Sequence, residues 1–435
     1  MTTDQTHAVT MRSYWLETST PSGDHSSTPI PKEVDVAVVG GGFTGLSTAY
    51  HAAKAGKSVA LLEANTVNWG ASGRNGGMAT TGLAIGFRDA IKRYGERRAI
   101  GYFEEYNKAI QLIEDLVHEH DLDVDYERSG KMNLAYKPSH YEGMKATADA
   151  LHRLVGQPVE LVDKANIRSE IGSDYYHGAL VDPLGAGMHV GKFGHALAGL
   201  ALDEGATIHE RAEVTDVERV GSSTTHVLTT TRGSVRAGKV VLGTSGYTGK
   251  PFGWQQRRVI PVGSFIVVTE PLPQAVVDEL LPNRRMASDS KNFIYYFRIT
   301  PDNRLLFGGR ARFALSDPSQ DRASGEILTK AMHTIFPQTT QARIDYMWGG
   351  LVDISMDQMV HAGEHDGIYY SLNYSGHGVQ MANYMGKVMV DMLDGKPGAN
   401  IWSDLKNPWI PGYFGNPWLH LRVGGAYYGL QDKLS

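Results

Sequence analysis

The feature that most constrains this chain is a short unit at residues 34–64, VDVAVVGGGFTGLSTAYHAAKAGKSVALLEA. Val34–Val39 is an apolar, largely β-branched run, suited to a strand buried on both faces. Leu46, Ala49, Tyr50 and Ala53 then recur at helical spacing, and Gly56 can stop that helix. Val59–Leu62 reads as a second buried strand, with Glu63 at its end. The whole is a βαβ unit of the expected ~30 residues. Gly40-x-Gly42-x-x-Gly45 sits between the first strand and the helix. Gly40 permits a tight turn, Gly42 lets a pyrophosphate approach the helix N-terminus, and Gly45 allows the helix to pack closely on the strand. Glu63, 23 residues after Gly40, stands where an acid accepts hydrogen bonds from a ribose hydroxyl pair. Phe43 and Thr44 in the first helical turn, and Ala64 beside the acid, belong to the same cradle. A lone GxGxxG is weak evidence; with strand, helix, second strand and terminal acid in place it is strong. An acid at 63 disfavours a 2′-phosphate, so NADP is disfavoured and FAD or NAD remains.

Seven residues after Glu63 begins GASGRNGG, Gly70–Gly77. Four glycines in eight residues exceed what a surface turn needs. A bare backbone here can lie against a flat ring system and turn N–H groups to its edge. A mobile surface loop is the other reading of the same composition.

The rest of the chain repeats the theme at a distance. The stretch HALAGLALDEGATIHERAEV reads as helix, Gly205 turn and strand near 206–209. KVVLGTSGY holds a buried strand at Val240–Gly243. GIYYSLNYSGHGVQMANYMGKVMVDML holds a strand at Ile368–Leu372, a glycine turn and a helix running to Leu393. Two blocks differ: residues ~90–170 are charged and helical in pattern, and ~255–340 carry alternating strands such as SFIVVTE and FIYYFRI. The expected fold is α/β: a discontinuous Rossmann-like FAD-binding domain (31–90, 171–250, 341–400) with an inserted α+β substrate domain (91–170, 251–340) built on an antiparallel sheet. Residues 1–30 read as a tail with little order and 401–435 as a C-terminal extension.

Composition excludes several classes. There are no cysteines among the 435 residues, so disulfides, thiolate metal sites, a Cys nucleophile and a flavin held through a Cys thioether are all excluded. No metal site is expected. Net charge is −5 and basic pairs such as Arg97-Arg98 and Arg284-Arg285 are scattered, which gives no electrostatic case for nucleic acid. No apolar run approaches the ~20 residues a bilayer demands, and the first 30 residues lack a secretion signal. A soluble cytoplasmic protein is expected, with the sequon at Asn373 incidental. There is no GxSxG elbow and no HExxH, so hydrolase readings fail.

The fingerprint followed by GASGRNGG resembles the D-amino-acid-oxidase-type FAD oxidoreductases, and within them the γ-glutamylputrescine oxidase group. SYW near the start, SDYYHGALVDPLGAGMHVGKFGHALA, YYFRITPDNRLLFGGR, WGGLVDIS, IYYSLNYSGHGV and the terminal GGAYYGLQDKL extend the resemblance over nearly the whole chain. The resemblance implies FAD as cofactor and oxidation of a carbon–nitrogen bond. It implies that Ser72, Arg74, Asn75, Gly76, Gly77 and Met78 run along the isoalloxazine, and that Val214 meets adenine through its strand backbone. Gly350 belongs to the same lining. Gly376, His377, Gly378 and Val379 match a turn whose helix aims its N-terminus at the flavin pyrimidine end, where the reduced ring is negative.

Chemistry of this class moves hydride from a neutral amine to flavin N5, leaving an imine that water hydrolyses; dioxygen or another acceptor takes the electrons. An apolar, aromatic pocket disfavours the ammonium form. Tyr295 and Trp348, with His377 helping if cationic, are the expected catalytic contacts. Alternation places Tyr295 and Phe297 on one face of their strand and Tyr296 on the other, and only one face can see substrate. Arg298 can pair with a substrate carboxylate or serve as a structural arginine. Two departures bear on substrate. Met78 stands where the group often has Gln, and SMDQMVHAGEHDG, with Asp357 and His361, replaces an RMPQFGR-like run near the flavin or substrate mouth. The expected partners are a small-molecule amine, such as a γ-glutamyl amine or an N-alkyl amino acid, and O2 or another acceptor. A same-fold dehydrogenase, an NAD-dependent dehydrogenase and a catalytically silent FAD-binding protein stand as alternatives.

Overall fold

A computed structural model describes residues 8–310, 314–413, 417 and 420–422. Its fold is mixed α/β, organised on two eight-stranded sheets. In the first, five strands run parallel in the order Ile368–Leu372, Gly233–Leu242, Glu33–Val39, Val59–Leu62 and Thr207–His209. Their apolar runs are buried on both faces, as parallel strands require. Helix Phe43–Lys54 lies between this sheet and the helices Val190–Asp203 and Gly378–Leu393. Enclosed on several sides, it buries ten of its twelve residues, Thr44, Ser47 and Thr48 among them. Glycine makes the crossings close: a Cβ on Gly386 would sit 2.4 Å from that of Ser47.

The second sheet runs Ile344–Ile354, Ile260–Thr269, Leu305–Gly309, Tyr295–Ile299, Met286–Asp289, Lys131–Leu134, Gly178–Asp182 and Glu160–Asp163. Its neighbours are antiparallel except for the pair Met286–Asp289 and Lys131–Leu134, which is parallel. One face packs against Ile335, Phe336 and Leu328 of a separate core cluster. The other looks toward the first sheet across a cavity of about 1120 Å³.

The sheets divide the chain differently from the expected segment boundaries. Gly178–Asp182 and Ile344–Ile354 fall in stretches assigned to the FAD-binding part, yet both pair in the second sheet. The block expected to be helical over 91–170 contributes two strands to it as well. Long-range pairing decides a strand's sheet, and local alternation does not carry that information.

Residues 8–30 also differ from the expected loose tail. Helix Tyr14–Glu17 buries Tyr14 and Trp15 completely or nearly so. The Tyr14 hydroxyl donates to Asp302 (2.7 Å) and Thr10 bridges Tyr346 of the second sheet. At the other end, Trp402 packs against Tyr102 of helix Glu96–Glu119; the GGAYYGLQDKL segment lies outside the described residues. Asn373 of the sequon is fully buried. No helix among the described residues is long and apolar enough to cross a membrane.

Candidate active site

The cavity begins at the fingerprint. Gly40 has φ +104°, and a Cβ there would meet the Gly243 carbonyl at 3.0 Å. Gly45 is stricter still: its Cβ would stand 1.8 Å from the Gly40 oxygen. Gly45 therefore serves packing and does not line the cavity, whereas Gly40, Gly42, Phe43 and Thr44 do. Helix Phe43–Lys54 has Gly42 as its N-cap with no side-chain cap; only the Phe43 N–H is held, by Ser72 Oγ at 2.9 Å. Its N-terminal donors thus face open space, which suits a pyrophosphate. Glu63 accepts from the N–H groups of Gly41 (2.6 Å) and Asn65 (2.7 Å). Burial pushes its carboxyl pKa up against those bonds. Glu63, Ala64 and Val214 converge at this end of the cavity. Bare glycines, an uncapped helix N-terminus and a half-buried acid together form the donor and acceptor set that an adenosine diphosphate moiety needs, so the residues present fit FAD.

Two glycines of GASGRNGG answer close backbone contacts. A Cβ on Gly73 would lie 2.2 Å from the Asn68 carbonyl, and Gly77, with φ +69°, is wedged against the Met188 carbonyl and the rings of Trp15. Gly70 and Gly76 line the cavity instead. Asn75 ties the loop to itself, donating to the carbonyls of Ala71 and Ser72 and accepting from the Gly77 N–H. Arg74 stacks on Trp69 and donates to the Trp69 and Gly349 carbonyls. Trp348 is buried, outside the cavity lining, and donates its indole N–H to the Arg74 carbonyl at 2.9 Å. It supports the loop and is not placed to touch substrate. Arg298 likewise is buried, donating to the carbonyls of Gly77 and Met188. Its guanidinium is spent on holding Gly77.

At the far end, Gly376, His377, Gly378 and Val379 line the cavity where helix Gly378–Leu393 begins. His377 is the N-cap residue but makes no side-chain cap, so this helix too presents open N–H donors. Burial, with the charge of Lys131 adding to it, brings the His377 pKa down to about 3. His377 is therefore neutral near pH 7, contrary to the cationic role expected of it, and its Nδ1 has no protein partner. Asp353 fixes the approach to this turn. Its carboxylate accepts from the N–H groups of Asn373 (2.5 Å) and Tyr374 (3.1 Å), while its carbonyl accepts from Ser375. The Tyr374 hydroxyl in turn bonds Thr44 of the fingerprint helix at 2.7 Å.

The second sheet forms the opposite wall. Tyr296, not Tyr295, lines the cavity. Its ring lies beside Gly76, its hydroxyl bonds Ser264 (3.0 Å), and burial raises its pKa to about 12, so it is a neutral phenol. Tyr295 sits on the other face, against Phe307 and under Lys291. Gly350 and Met78 join the lining. Sequence reading missed Lys131, Asn133 and Asp182. Lys131 and Asn133 alternate with buried Met132 and Leu134 in KMNL, a signal that is visible but equally fits a solvent-facing strand. Burial lowers the Lys131 pKa, with Asp182 opposing.

Asp357 and His361, expected near the mouth, do not line the cavity. They form a separate buried contact, His361 Nε2 to Asp357 Oδ1 at 2.9 Å, joined by Ser355 and Tyr94. Burial opposes the Asp357 charge, but the His361 ring and the Ser355 hydroxyl outweigh it and bring the pKa to about 2. The departure from the RMPQFGR-like run is thus absorbed by a loop anchor.

Comparison with known proteins points to the same cofactor class. A family model described as FAD dependent oxidoreductase (DAO) matches residues 35–392. The chain is 31% identical to gamma-glutamylputrescine oxidoreductase of Escherichia coli K12 over 403 residues, 92% of this chain and 93% of that one. It is also 31% identical to a probable oxidoreductase, OrdL, of Haemophilus influenzae, with 97% of each covered. Among solved structures, glycine oxidase from Geobacillus kaustophilus superposes with a TM-score of 0.71 at 22% identity, covering 88% of this chain and all of that one.

Proposed function

The chain belongs to the DAO family of FAD-dependent oxidoreductases, and from that premise we propose that it oxidises the C–N bond of a small amine, with dioxygen as the final electron acceptor. The observation that carries the reading is one continuous cavity, which joins the fingerprint, the glycine loop, the Gly378 helix N-terminus and the wall bearing Tyr296. FAD, when bound, supplies the two-electron acceptor that such an oxidation needs. Gly40, Gly42 and Glu63 would hold its adenosine diphosphate half, and the 70–78 loop and the 376–379 turn its ring. The open N–H donors at Gly378 and Val379 favour negative charge on whatever they face. His377, being neutral, contributes no competing charge and offers a ring nitrogen for a hydrogen bond. The second sheet and the helices of 91–170 form the substrate half.

The carboxylates near that half are already committed. Asp182 accepts from Gln157, Thr81 and the Leu184 N–H; Asp289 accepts from the Lys291 and Tyr295 N–H groups and lies 3.1 Å from Lys291 Nζ. Asp182 is thus occupied by hydrogen bonds and Asp289 is already paired with a cation, and the buried walls favour the neutral amine from which oxidation proceeds. In the overall balance, the amine and dioxygen give an imine and hydrogen peroxide, and water converts the imine to a carbonyl compound, releasing ammonia from a primary amine or the smaller amine from a secondary one. Relatives named for γ-glutamylputrescine, glycine and sarcosine make γ-glutamyl amines and N-alkyl amino acids the first substrates to try.

The test is an anaerobic visible spectrum of the FAD-loaded protein, before and after a panel that includes γ-glutamylputrescine, sarcosine and simple alkylamines. One amine should bleach the flavin, and readmitted air should restore the colour with hydrogen peroxide formed. Bleaching that air does not reverse would replace the oxidase reading with a dehydrogenase. A flavin bleached by no amine would overturn the substrate class.

A further inference from the structure

Beyond the cofactor residues, the cavity continues over the second sheet toward helix Pro138–Val155. Met144, Thr147 and Leu151 present one face of that helix to it, and with Phe87, Phe103 and Leu180 form a mostly apolar lining in which all but the part-buried Thr147 are buried. At the entrance to this extension stand two polar side chains from one strand. Lys131 and Asn133 are two residues apart in Lys131–Leu134, so they project to the same face, and both line the cavity.

Their hydrogen bonds leave donors over. As an ammonium, the form that Asp182 across the ladder favours against burial, Lys131 Nζ carries three N–H groups and gives one, to the Thr81 carbonyl at 2.7 Å. The Asn133 carbonyl oxygen accepts from Ser288 Oγ at 3.1 Å, which leaves its NH2 as the end without a protein partner. The acid directly across the ladder, Asp182, does not absorb these donors: its own oxygens are taken by Gln157, Thr81 and the Leu184 N–H. Asp289, the other acid of this wall, is held by Lys291. The neighbouring His377 Nδ1 has no partner either. The wall thus offers donors at Lys131 and Asn133, with the Arg310 guanidinium in the same lining, and its two acids are already occupied, Asp182 by hydrogen bonds and Asp289 by its ion pair with Lys291. A compact anion satisfies such a set, while a second ammonium would meet only repulsion.

We propose that Lys131 and Asn133 form an anion subsite of this cavity, the pair that receives the carboxylate of an amino-acid or γ-glutamyl substrate, with the aliphatic part along Met144, Leu151 and Leu180. The substrate-class half of this statement rests on the amine-oxidation reading above; the subsite itself does not. Thr81, Asp182 and Gln157 act as positioning residues, fixing the loop carbonyl that orients Lys131.

Hexanoate and hexanamide are matched probes, and their binding to the FAD-loaded protein is read by calorimetry and by perturbation of the flavin spectrum, with no turnover needed. The wild type should bind hexanoate at least tenfold more tightly than hexanamide. Lys131→Met should abolish that preference, Lys131→Arg should keep most of it, and Asn133→Ala, which leaves the charge in place, should reduce it about threefold. FAD content and melting temperature check each variant's fold; if Lys131→Met fails to fold, Lys131→Arg and Asn133→Ala still decide. Equal binding of the two probes by the wild type, or a preference that survives Lys131→Met, would overturn the subsite. An amine that bleaches the flavin without any hexanoate preference sinks this inference and leaves the proposed function standing. A Lys131-dependent preference with no amine active does the reverse.

Discussion

The indole N–H of Trp15 donates to the carbonyl of Asn75 at 2.7 Å, joining the first helix of the chain to the loop that lines the flavin site. The Ser13 hydroxyl reaches the Gly73 carbonyl of the same loop at 2.6 Å. The N-terminal segment therefore clasps the loop from behind. Trp15→Phe keeps most of the buried ring and leaves the Asn75 carbonyl without its donor, a loss of ~1–3 kcal/mol for a buried acceptor. The expected result is FAD dissociation about fivefold or more faster, measured by flavin fluorescence on dilution. An unchanged dissociation rate would show that the loop holds its shape without the clasp.

A second prediction separates packing from ligand approach at the fingerprint. A Cβ on Gly42 would meet Ser72 Oγ at 2.9 Å and nothing else closer than 3.7 Å. Gly42→Ala alone should fold and bind FAD more weakly, because the alanine crowds Ser72. Gly42→Ala with Ser72→Gly removes that clash, so weakness beyond that of Ser72→Gly alone, which also frees the Phe43 N–H, reports intrusion on the cofactor itself. Gly45→Ala has no such remedy, since its obstacle is the Gly40 backbone; it should yield little folded protein. Equal yields and FAD contents for the Gly42 and Gly45 variants would refute this division.

The parallel sheet was legible because its information is local. Five apolar residues in the first strand, three glycines and a terminal acid dictate strand, turn and helix in sequence, and Val34–Glu63 forms as its pattern says. The glycine loop was legible too, since only close approach explains bareness of that degree. The wall of the site was not. Tyr295 and Tyr296 differ by one position in a strand, alternation says only that they face opposite ways, and the choice between faces depends on which one receives the helices of the second core. Trp348 looked like a substrate contact because large aromatics near GG suggest a pocket; its N–H instead serves Arg74. Lys131 went unnoticed because burial of a lysine is a property of the assembled wall and leaves no mark in the sequence.

Buried neutral histidines set a pH limit on stability. His377 has its pKa lowered to about 3 and His189 to about 4, in both cases first by burial. His189 uses both ring nitrogens as a neutral tautomer, Nδ1 accepting from the Lys192 N–H and Nε2 bonding Thr18. The unfolded chain protonates these rings near pH ~6.5 and the folded chain does not. Stability is therefore full above that pH and falls as the pH drops toward 4, by about 2 kcal/mol at pH 5 for the buried His189 and by less for the part-buried His377. Melting temperature should fall steeply between pH 6.5 and 4.5, and His189→Gln should flatten the slope. A melting temperature constant over that range would mean that the rings are charged in the fold.

The exchange of Tyr295 for Tyr296 as the residue facing the site gives the sharpest test of the wall. Tyr296 lies beside Gly76 and bonds Ser264 across the cavity surface. Tyr295 instead packs with Phe307 in the second core, where Lys291 lies 3.7 Å from its ring centre. Tyr296→Ala opens a void against the loop and removes a neutral hydroxyl from the site. It should slow flavin reduction by the best amine at least tenfold, about 1.4 kcal/mol in barrier. Tyr295→Ala should cost about 2–3 kcal/mol of stability through lost core packing and leave reduction of the folded protein within twofold of wild type. Stopped-flow reduction at saturating amine, with FAD content and melting temperature recorded on the same samples, separates the two effects. A slow Tyr295→Ala and a normal Tyr296→Ala would mean that the other face of the strand meets the substrate.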